Sequence, residues 1–290
     1  LPTLPAELRQ RAQGYIQGSK IPNEDWLALH RRAFDEYGRN QEERIRILIC
    51  PTKVTWCSES LLLESKEFAT NHNTGIHIHL VETMYQKEYG LRTFGKTPLA
   101  HLYDIGFLGP EVSIDHGVWL TEEDIDILKE TGTMLTLQPS SNLRLVSGIA
   151  PLNELLAKNV TVGLGIDEAG INDDNDQLQE MRLALNLNRV PGIGQPRPTA
   201  AQILHIATMG GAKTTLFADR IGSLEKGKGA DLVLMDLRRM SEPYLEPGHS
   251  IVDLILHRGK ALDVDTVMIA GEILLQNRKF NGLDKEEVVA

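Results

Sequence analysis

Gly75-Ile76-His77-Ile78-His79-Leu80-Val81-Glu82-Thr83 is the stretch on which the reading of this 290-residue chain turns. Its apolar and polar residues alternate with a period of two, the spacing of a half-buried strand. His77 and His79 therefore share one face, and Glu82 follows at the C-terminal end. Imidazole and carboxylate groups this close can serve a metal ion and a proton transfer together. A hydrogen-bonded core strand that happens to be rich in histidine accounts for the stretch equally well.

Outward from this strand, strand-like and helical patterns alternate. Upstream, residues 1–18 are punctuated by proline and then helical, and Pro22 opens a helix through Trp26, Leu29 and Phe34 to about Gly38. Arg46–Pro51 is a continuous apolar run ended by proline, as expected of a strand buried on both faces. Ser58 is placed to cap a helix that buries Leu61, Leu62 and Phe68. Downstream come a helix near Thr97–Ile105, a strand at Val112–Val118, and a helix capped by Thr121 whose first turn holds Glu122, Glu123 and Asp124. Strands at Thr133–Leu137 and Val160–Asp167 follow, with a helix at Leu152–Ala157 between them and a longer one from about Asn175 to Asn188. Five strand-like runs separated by helices indicate βα units and a parallel sheet.

After Thr199 the pattern changes. Ala200–Met209 and Gly211–Phe217 are helical in spacing, and a Gly/Lys-rich turn at Ile221–Gly229 leads into a strand within Asp231–Asp236. Val264–Ile269 and Glu272–Gln276, joined by Ala270-Gly271, form a predicted β-hairpin. The chain is therefore divided at residue 219, with a barrel-type portion over 1–219 and a β-rich portion over 220–290. The second portion has too few strands to bury two faces unaided.

Bulk properties narrow the function. A formal charge of -10 excludes a nucleic-acid backbone as main partner, and 5% aromatic residues are too few for a base-stacking platform. No apolar stretch approaches the roughly 20 residues of a membrane helix, and the N-terminal residues carry no signal-peptide pattern. Cys50 and Cys57 are too few for a disulfide framework and wrongly spaced for a zinc knuckle. Ordinary thiols in a reducing, cytoplasmic setting are expected.

Three strand ends carry the polar residues of interest: His79 with Glu82, His116, and Asp167. In a parallel barrel all strand C-termini open on one face, so these distant residues would converge there. Two histidines and an aspartate suit zinc or a similar divalent ion, with Glu82 free to move protons. Blander readings stand beside this one. Asp115-His116 can be a simple hydrogen-bonded pair, and Asp167 followed by Glu168 can be a helix cap. The acidic run Asn172–Asp176 imitates a calcium loop but lacks its glycine and terminal glutamate, which leaves a solvated helix start. The remaining histidines (30, 72, 101, 205, 249 and 257) read as surface or packing residues.

The order of the pieces adds to this. His79-Leu-Val-Glu-Thr83, Asp115-His-Gly-Val-Trp-Leu120, Pro139-Ser-Ser-Asn-Leu-Arg-Leu145, Gly163-Leu-Gly-Ile-Asp167 and Glu180-Met-Arg-Leu-Ala184 together resemble the amidohydrolase superfamily. The resemblance is greatest to aminohydrolases that deaminate or dechlorinate nitrogen heterocycles. Gly222–Val233 is similar to that family's return strand into a small β-sandwich, and the likeness runs from about Pro22 onward. It implies an α/β fold, a TIM-type (β/α)8 barrel with a β-sandwich, and a metal, zinc first and iron second. It implies hydrolytic deamination of a small heterocycle (a purine, pterin, pyrimidine or triazine) and a homodimer. By position, His79 matches a metal ligand on barrel strand five and Glu82 the proton shuttle. His116 matches the strand-six histidine that touches the hydrolytic water or substrate and lies within the metal site. Asp167 matches the strand-eight carboxylate that binds the metal and orients the nucleophile.

Departures from the family pattern shape the remaining expectations. No strand bearing a His-x-His pair precedes residue 46, so about three barrel strands, two metal ligands and half of the sandwich are expected to be missing. The chain would then be a piece of a longer enzyme, or a shorter natural form that is non-catalytic or completed by a partner. His79 and Asp167 alone fall short of the three protein ligands of a catalytic zinc site. Leu137-Gln138-Pro139 stands where the family often has His-Asn-Pro, and Glu168 where glycine is usual. A cyclic-amide hydrolase with two metals bridged by a modified lysine would have to use Lys53, which otherwise reads as a surface residue.

Overall fold

The computed structural model describes residues 6–18, 21–38, 44–168, 170–171 and 174–282. The chain forms two compact units, Leu1–Ile47 and Leu48–Ala290. In the first, helices Ala6–Gly18 and Asn23–Ala33 fall where expected, the second directly after Pro22 and running into a π-helical turn at Phe34–Gly38. The proline-punctuated residues 1–5 lie outside the described residues.

The second unit holds a parallel sheet of β1 (Ile76–Leu80), β2 (Val112–His116), β3 (Met134–Leu137) and β4 (Val162–Leu164), in that order. Helices intervene between strands, as the alternating pattern predicts: Met84–Phe94 and Pro98–Asp104, then Glu122–Thr131, then Pro139–Arg144 and Leu152–Ala157. Their starts are fixed by the expected caps. Ser58 accepts from Leu61 N at the head of Glu59–His72, and Thr121 with Asp124 closes a full capping box. Ile76, Ile78 and Leu80 of β1 are buried while His77 and His79 are partly open, so the apolar face takes the core. β2 and β3 are buried along their whole length because they are the inner strands.

Arg46–Pro51 is not the regular strand its composition suggests. Only Ile49 and Lys53 bridge to β1, opposite Ile76 and His79. Four steps on this segment oppose three on β1, and the extra residue is absorbed where Thr52 adopts a left-handed φ of 58°. Pro51, which has no N–H, further prevents a continuous ladder.

Of the acidic run at 172–176, Asn172 and Asp173 lie outside the described residues; Asp176 caps helix Gln177–Leu187 by accepting from Leu178 N at 2.9 Å. The C-terminal region folds as the antiparallel sheet β5 (Leu232–Met235), β6 (Val264–Ile269), β7 (Glu272–Gln276) and β8 (Lys279–Phe280). The β6–β7 hairpin has the expected ends, and Ala270 and Gly271 both take positive φ, as a two-residue turn of this hand requires. Val233 and Leu234, which point to opposite faces of β5, are 55% and 54% exposed, so neither face of that strand is covered.

β4 is held by a close helical approach. A Cβ on Gly210 would lie 2.0 Å from Val162 O, so only glycine permits the packing of the π-helical turn Ile206–Gly210 on this strand. Gly210→Ala is expected to destabilise the fold by about 1–3 kcal/mol through overpacking, read as a lower midpoint in urea or thermal unfolding; an unchanged midpoint would contradict this packing.

Candidate functional site

Parallel register brings the first polar residues together. His79 of β1 pairs with Asp115 of β2, and His77 with Ser113, so these side chains share a face. His77 Nδ1 lies 2.7 Å from Ser113 Oγ, and its Nε2 is 3.7 Å from Asp115 Oδ2. His116, next after Asp115, would face the other side of a regular strand. Its backbone instead takes φ 68°, and its Nε2 ends 3.5 Å from Asp115 Oδ2. The chain likewise leaves β1 through Val81 at φ 44° and passes β4 through Asp167 at φ 62°. Left-handed backbone at non-glycine residues is rare and strained, and here it occurs at the exit of three strands.

The two imidazoles present the same nitrogen to this space. His79 Nδ1 donates to Thr52 O at 2.9 Å, and His116 Nδ1 donates to Asn142 Oδ1 at 2.9 Å. When the rings are neutral, each Nε2 is left to present its lone pair, the arrangement typical of metal-ligating histidines. Burial lowers the pKa of His79, and His116 and Lys53 add to that against the opposing pull of Asp115 and the Thr52 carbonyl. One ligand atom each from His79, Asp115 and His116 lies within 4.8 Å of the others. Asp167 Oδ2 is 3.9 Å from His116 Nε2. Lone pairs facing carboxylates repel unless a cation lies between them. Two nitrogens and an oxygen at this spacing therefore fit a divalent metal.

A second layer orients the donors. Asp115, only 3% exposed, accepts from its neighbour's His116 N at 3.0 Å and from Gln138 Nε2 at 2.9 Å, both on Oδ1. Gln138 Oε1 accepts from Asp167 N at 2.6 Å, and Asp167 Oδ2 accepts from Ser141 Oγ at 2.5 Å. Burial acts to raise the pKa of Asp115, but the imidazoles of His77 and His116 and the Gln138 amide overcome it and hold the carboxyl at about 2.

Glu82 lies just past β1 and is buried. Its Oε2 accepts from Lys53 Nζ at 2.9 Å and from Gln86 Nε2 at 3.3 Å, while its N–H donates to Gln86 Oε1 at 3.1 Å. Burial acts to raise its pKa, yet the Lys53 hydrogen bond and the charges of His116, Lys53 and His79 bring it below the ordinary glutamate value. Lys53 is thus part of the site and not a surface lysine: its side chain is 22% exposed and ion-paired to Glu82. A carbamate there would set one anion against another, which removes the support for a modified-lysine bridge.

The sequence-derived candidates His79, Glu82, His116 and Asp167 all gather at the C-terminal edge of the parallel sheet. Asp115 and Lys53 join them. Asp115 reads as an ordinary hydrogen-bond partner because strand parity points it away from His116. Lys53 reads as a loop residue because the extra residue in its segment leaves no periodic signal.

Asp115 gives a pH dependence with a definite sign. A carboxyl whose folded pKa is depressed contributes stability that is present above its ordinary value of 3.8 and is lost as pH falls through about 2. In metal-free protein this amounts to roughly 2 kcal/mol. Urea midpoints of the parent should fall more steeply between pH 5 and pH 2 than those of Asp115→Asn, and parallel profiles would contradict the assignment.

The amidohydrolase family profile matches residues 17–274. A 5-methylthioadenosine/S-adenosylhomocysteine deaminase of Thermoanaerobacter pseudethanolicus is 34% identical over 278 residues, covering 96% of this chain and 64% of that protein. A 5'-deoxyadenosine deaminase of Methanobrevibacter smithii is 34% identical over 256 residues, covering 88% of this chain and 58% of that protein. Among solved structures, a zinc-bound adenosine deaminase of Xanthomonas campestris superposes with a TM-score of 0.85 at 28% identity, covering 92% of this chain and 60% of that one. The chain thus spans about three-fifths of the length of these relatives. With a family match over most of its residues and a parallel α/β sheet carrying a His/Asp/His group at one edge, the chain belongs to the amidohydrolase family.

Proposed function

We propose that this chain forms the catalytic barrel portion of a metal-dependent aminohydrolase that hydrolytically deaminates an adenine nucleoside, releasing ammonia. The observation that carries this reading is the convergence of His79, Asp115 and His116 donor atoms within 4.8 Å, with the buried Glu82 carboxylate beside them. The adenosine-derivative deaminases among its relatives favour a purine over a pterin, pyrimidine or triazine. In this reading residues 1–219 are an incomplete part of an eight-stranded barrel, and the four parallel strands are its last four. The antiparallel sheet is then part of a small β-sandwich over 220–290. Zinc is the metal proposed, with iron second, and the enzyme is a cytoplasmic homodimer. No described helix is long and apolar enough to cross a membrane.

His79, His116 and Asp167 would hold the metal, with Asp115 close enough to join them. A bound divalent ion would supply an acidified water at neutral pH. Glu82 takes a proton from the attacking water and delivers it to the departing amino nitrogen, while the new C–O bond forms and the C–N bond breaks. It is ionised at neutral pH, with a pKa below the ordinary glutamate value, and so has an oxygen open to that proton. His116, fixed by Asn142, and Asp167, fixed by Ser141 and Gln138, orient the water and the substrate carbon.

Ammonia release from adenosine, 5'-deoxyadenosine and 5'-methylthioadenosine, measured on the full-length enzyme that contains this chain, tests the reading. Glu82→Gln should keep its metal, measured by plasma mass spectrometry, and lose turnover by at least about 100-fold; an undiminished rate removes Glu82 from proton transfer. Asp167→Ala should lose both metal and turnover. If Asp167→Ala retains full metal while Asp115→Ala does not, Asp115 is the carboxylate ligand instead.

A further inference from the structure

The proton-carrying role of Glu82 leaves open which of its two oxygens reacts and what holds the other. Both hydrogen bonds to the carboxylate fall on Oε2: Lys53 Nζ at 2.9 Å and Gln86 Nε2 at 3.3 Å. Among the described residues none falls on Oε1. The carboxylate is therefore not a symmetric acceptor, because one oxygen is pinned and the other is available.

Lys53 is itself held at both ends. Its backbone bridges to His79 across the edge of the parallel sheet, in the segment carrying the extra residue. Its Nζ lies 5.2 Å from the centroid of the Trp56 ring, within the range of a cation–π contact. Trp56 N donates to Lys53 O at 3.0 Å, which closes the turn that places the ring. The ammonium is thus set between a carboxylate and an aromatic face, and the four-carbon stem has little freedom left.

We propose that Lys53 is a positioning residue for the reaction: its ammonium pins Oε2 of Glu82 and turns Oε1 toward the reacting atoms as the oxygen that carries the proton. The inference rests on the aminohydrolase reading given above. A long flexible side chain alone would do this poorly, and the ring of Trp56, although 73% exposed, adds a cation–π contact on the other side of the ammonium. Gln86, which binds the same oxygen at a longer distance and also receives the Glu82 N–H, shares the task from the helix that follows.

Lys53→Met, Lys53→Arg and Glu82→Gln, each made in the full-length enzyme that contains this chain and compared with that parent, separate the possibilities. Each is assayed for kcat, KM and bound metal with whichever of the three adenine nucleosides the parent deaminates fastest. Lys53→Met should lower kcat about 100-fold, the scale of a catalytic group misplaced by about an ångström. Its KM and metal content should stay within about twofold of the parent, and Lys53→Arg, which keeps a cationic donor, should recover most of the loss. Circular dichroism and the melting temperature identify any misfolded variant. If Lys53→Met misfolds, Lys53→Arg decides the matter, and its kcat must then lie between those of the parent and Glu82→Gln.

An unchanged kcat in folded Lys53→Met overturns the proposal, as does a rise in KM at constant kcat, which would make Lys53 a substrate-binding group. Glu82→Gln distinguishes the two levels of failure. If it is inactive while Lys53→Met is not, only the role of Lys53 falls. If Glu82→Gln is fully active, or the full-length parent turns over none of the nucleosides, the underlying functional reading falls and takes this one with it.

Discussion

Asp115 Oδ2 and Asp167 Oδ2 both approach Nε2 of His116, at 3.5 and 3.9 Å, and in the neutral ring that nitrogen carries a lone pair, its ring partner being the donor to Asn142. Electron-rich atoms at such distances in a buried pocket repel each other more strongly than they would in water. The protein offsets the repulsion with donors on the far side of each group. Gln138 and the backbone of His116 satisfy one oxygen of Asp115, and Ser141 donates to Asp167. A cation between these groups would complete the balance. The rest of the sheet edge is arranged around keeping these groups together despite their mutual repulsion.

Much of that arrangement comes from one six-residue helix, Pro139–Arg144. Gln138 precedes it, Ser141 and Asn142 lie on it, and between them they touch Asp115, His116 and Asp167. So short a helix has little intrinsic stability and needs outside support at its start. Pro139 presets its first turn, and the wholly buried Glu180, from helix Gln177–Leu187, accepts from Ser140 N at 3.0 Å. A carboxylate at a helix N-terminus meets both the unpaired N–H groups and the positive end of the dipole. Through this contact the Glu180-Met-Arg-Leu-Ala184 segment reaches the site without facing it.

The sequence makes the periodic features legible and hides those that depend on single backbone departures. Alternation in Gly75–Thr83, the helix cap at Thr121 and the Ala270-Gly271 turn are local, and each appears in the structure as read. Arg46–Pro51 misleads because apolar composition reports burial, and Ile49 is indeed fully buried, but it says nothing about the bulge at Thr52 that breaks the ladder. Asp115 is hidden for a related reason. Parity assigns neighbouring strand residues to opposite faces, and only the left-handed turn at His116 brings the pair onto one centre. His79, Glu82, His116 and Asp167 are legible chiefly because they terminate recognisable apolar runs.

Backbone strain sets how these departures are tolerated. Thr52, Val81, His116 and Asp167 each occupy left-handed φ without being glycine, at a cost of order 1–3 kcal/mol apiece. Glycine would relieve the strain but remove the group that the turn exists to aim at His116 and Asp167. At Val81 the side chain is fully buried, so glycine there would exchange backbone strain for a lost core contact. Burying a Leu or Ile side chain contributes about 1.5–3 kcal/mol. Ile76, Ile78, Leu80 and Ile114, all essentially inaccessible to solvent, lie on the strands that end in the turns at Val81 and His116. The apolar face of each strand therefore holds the strained exit of its polar end. The two faces of the sheet are energetically complementary: burial on the apolar side offsets the backbone strain that keeps the imidazoles and carboxylates in register on the other.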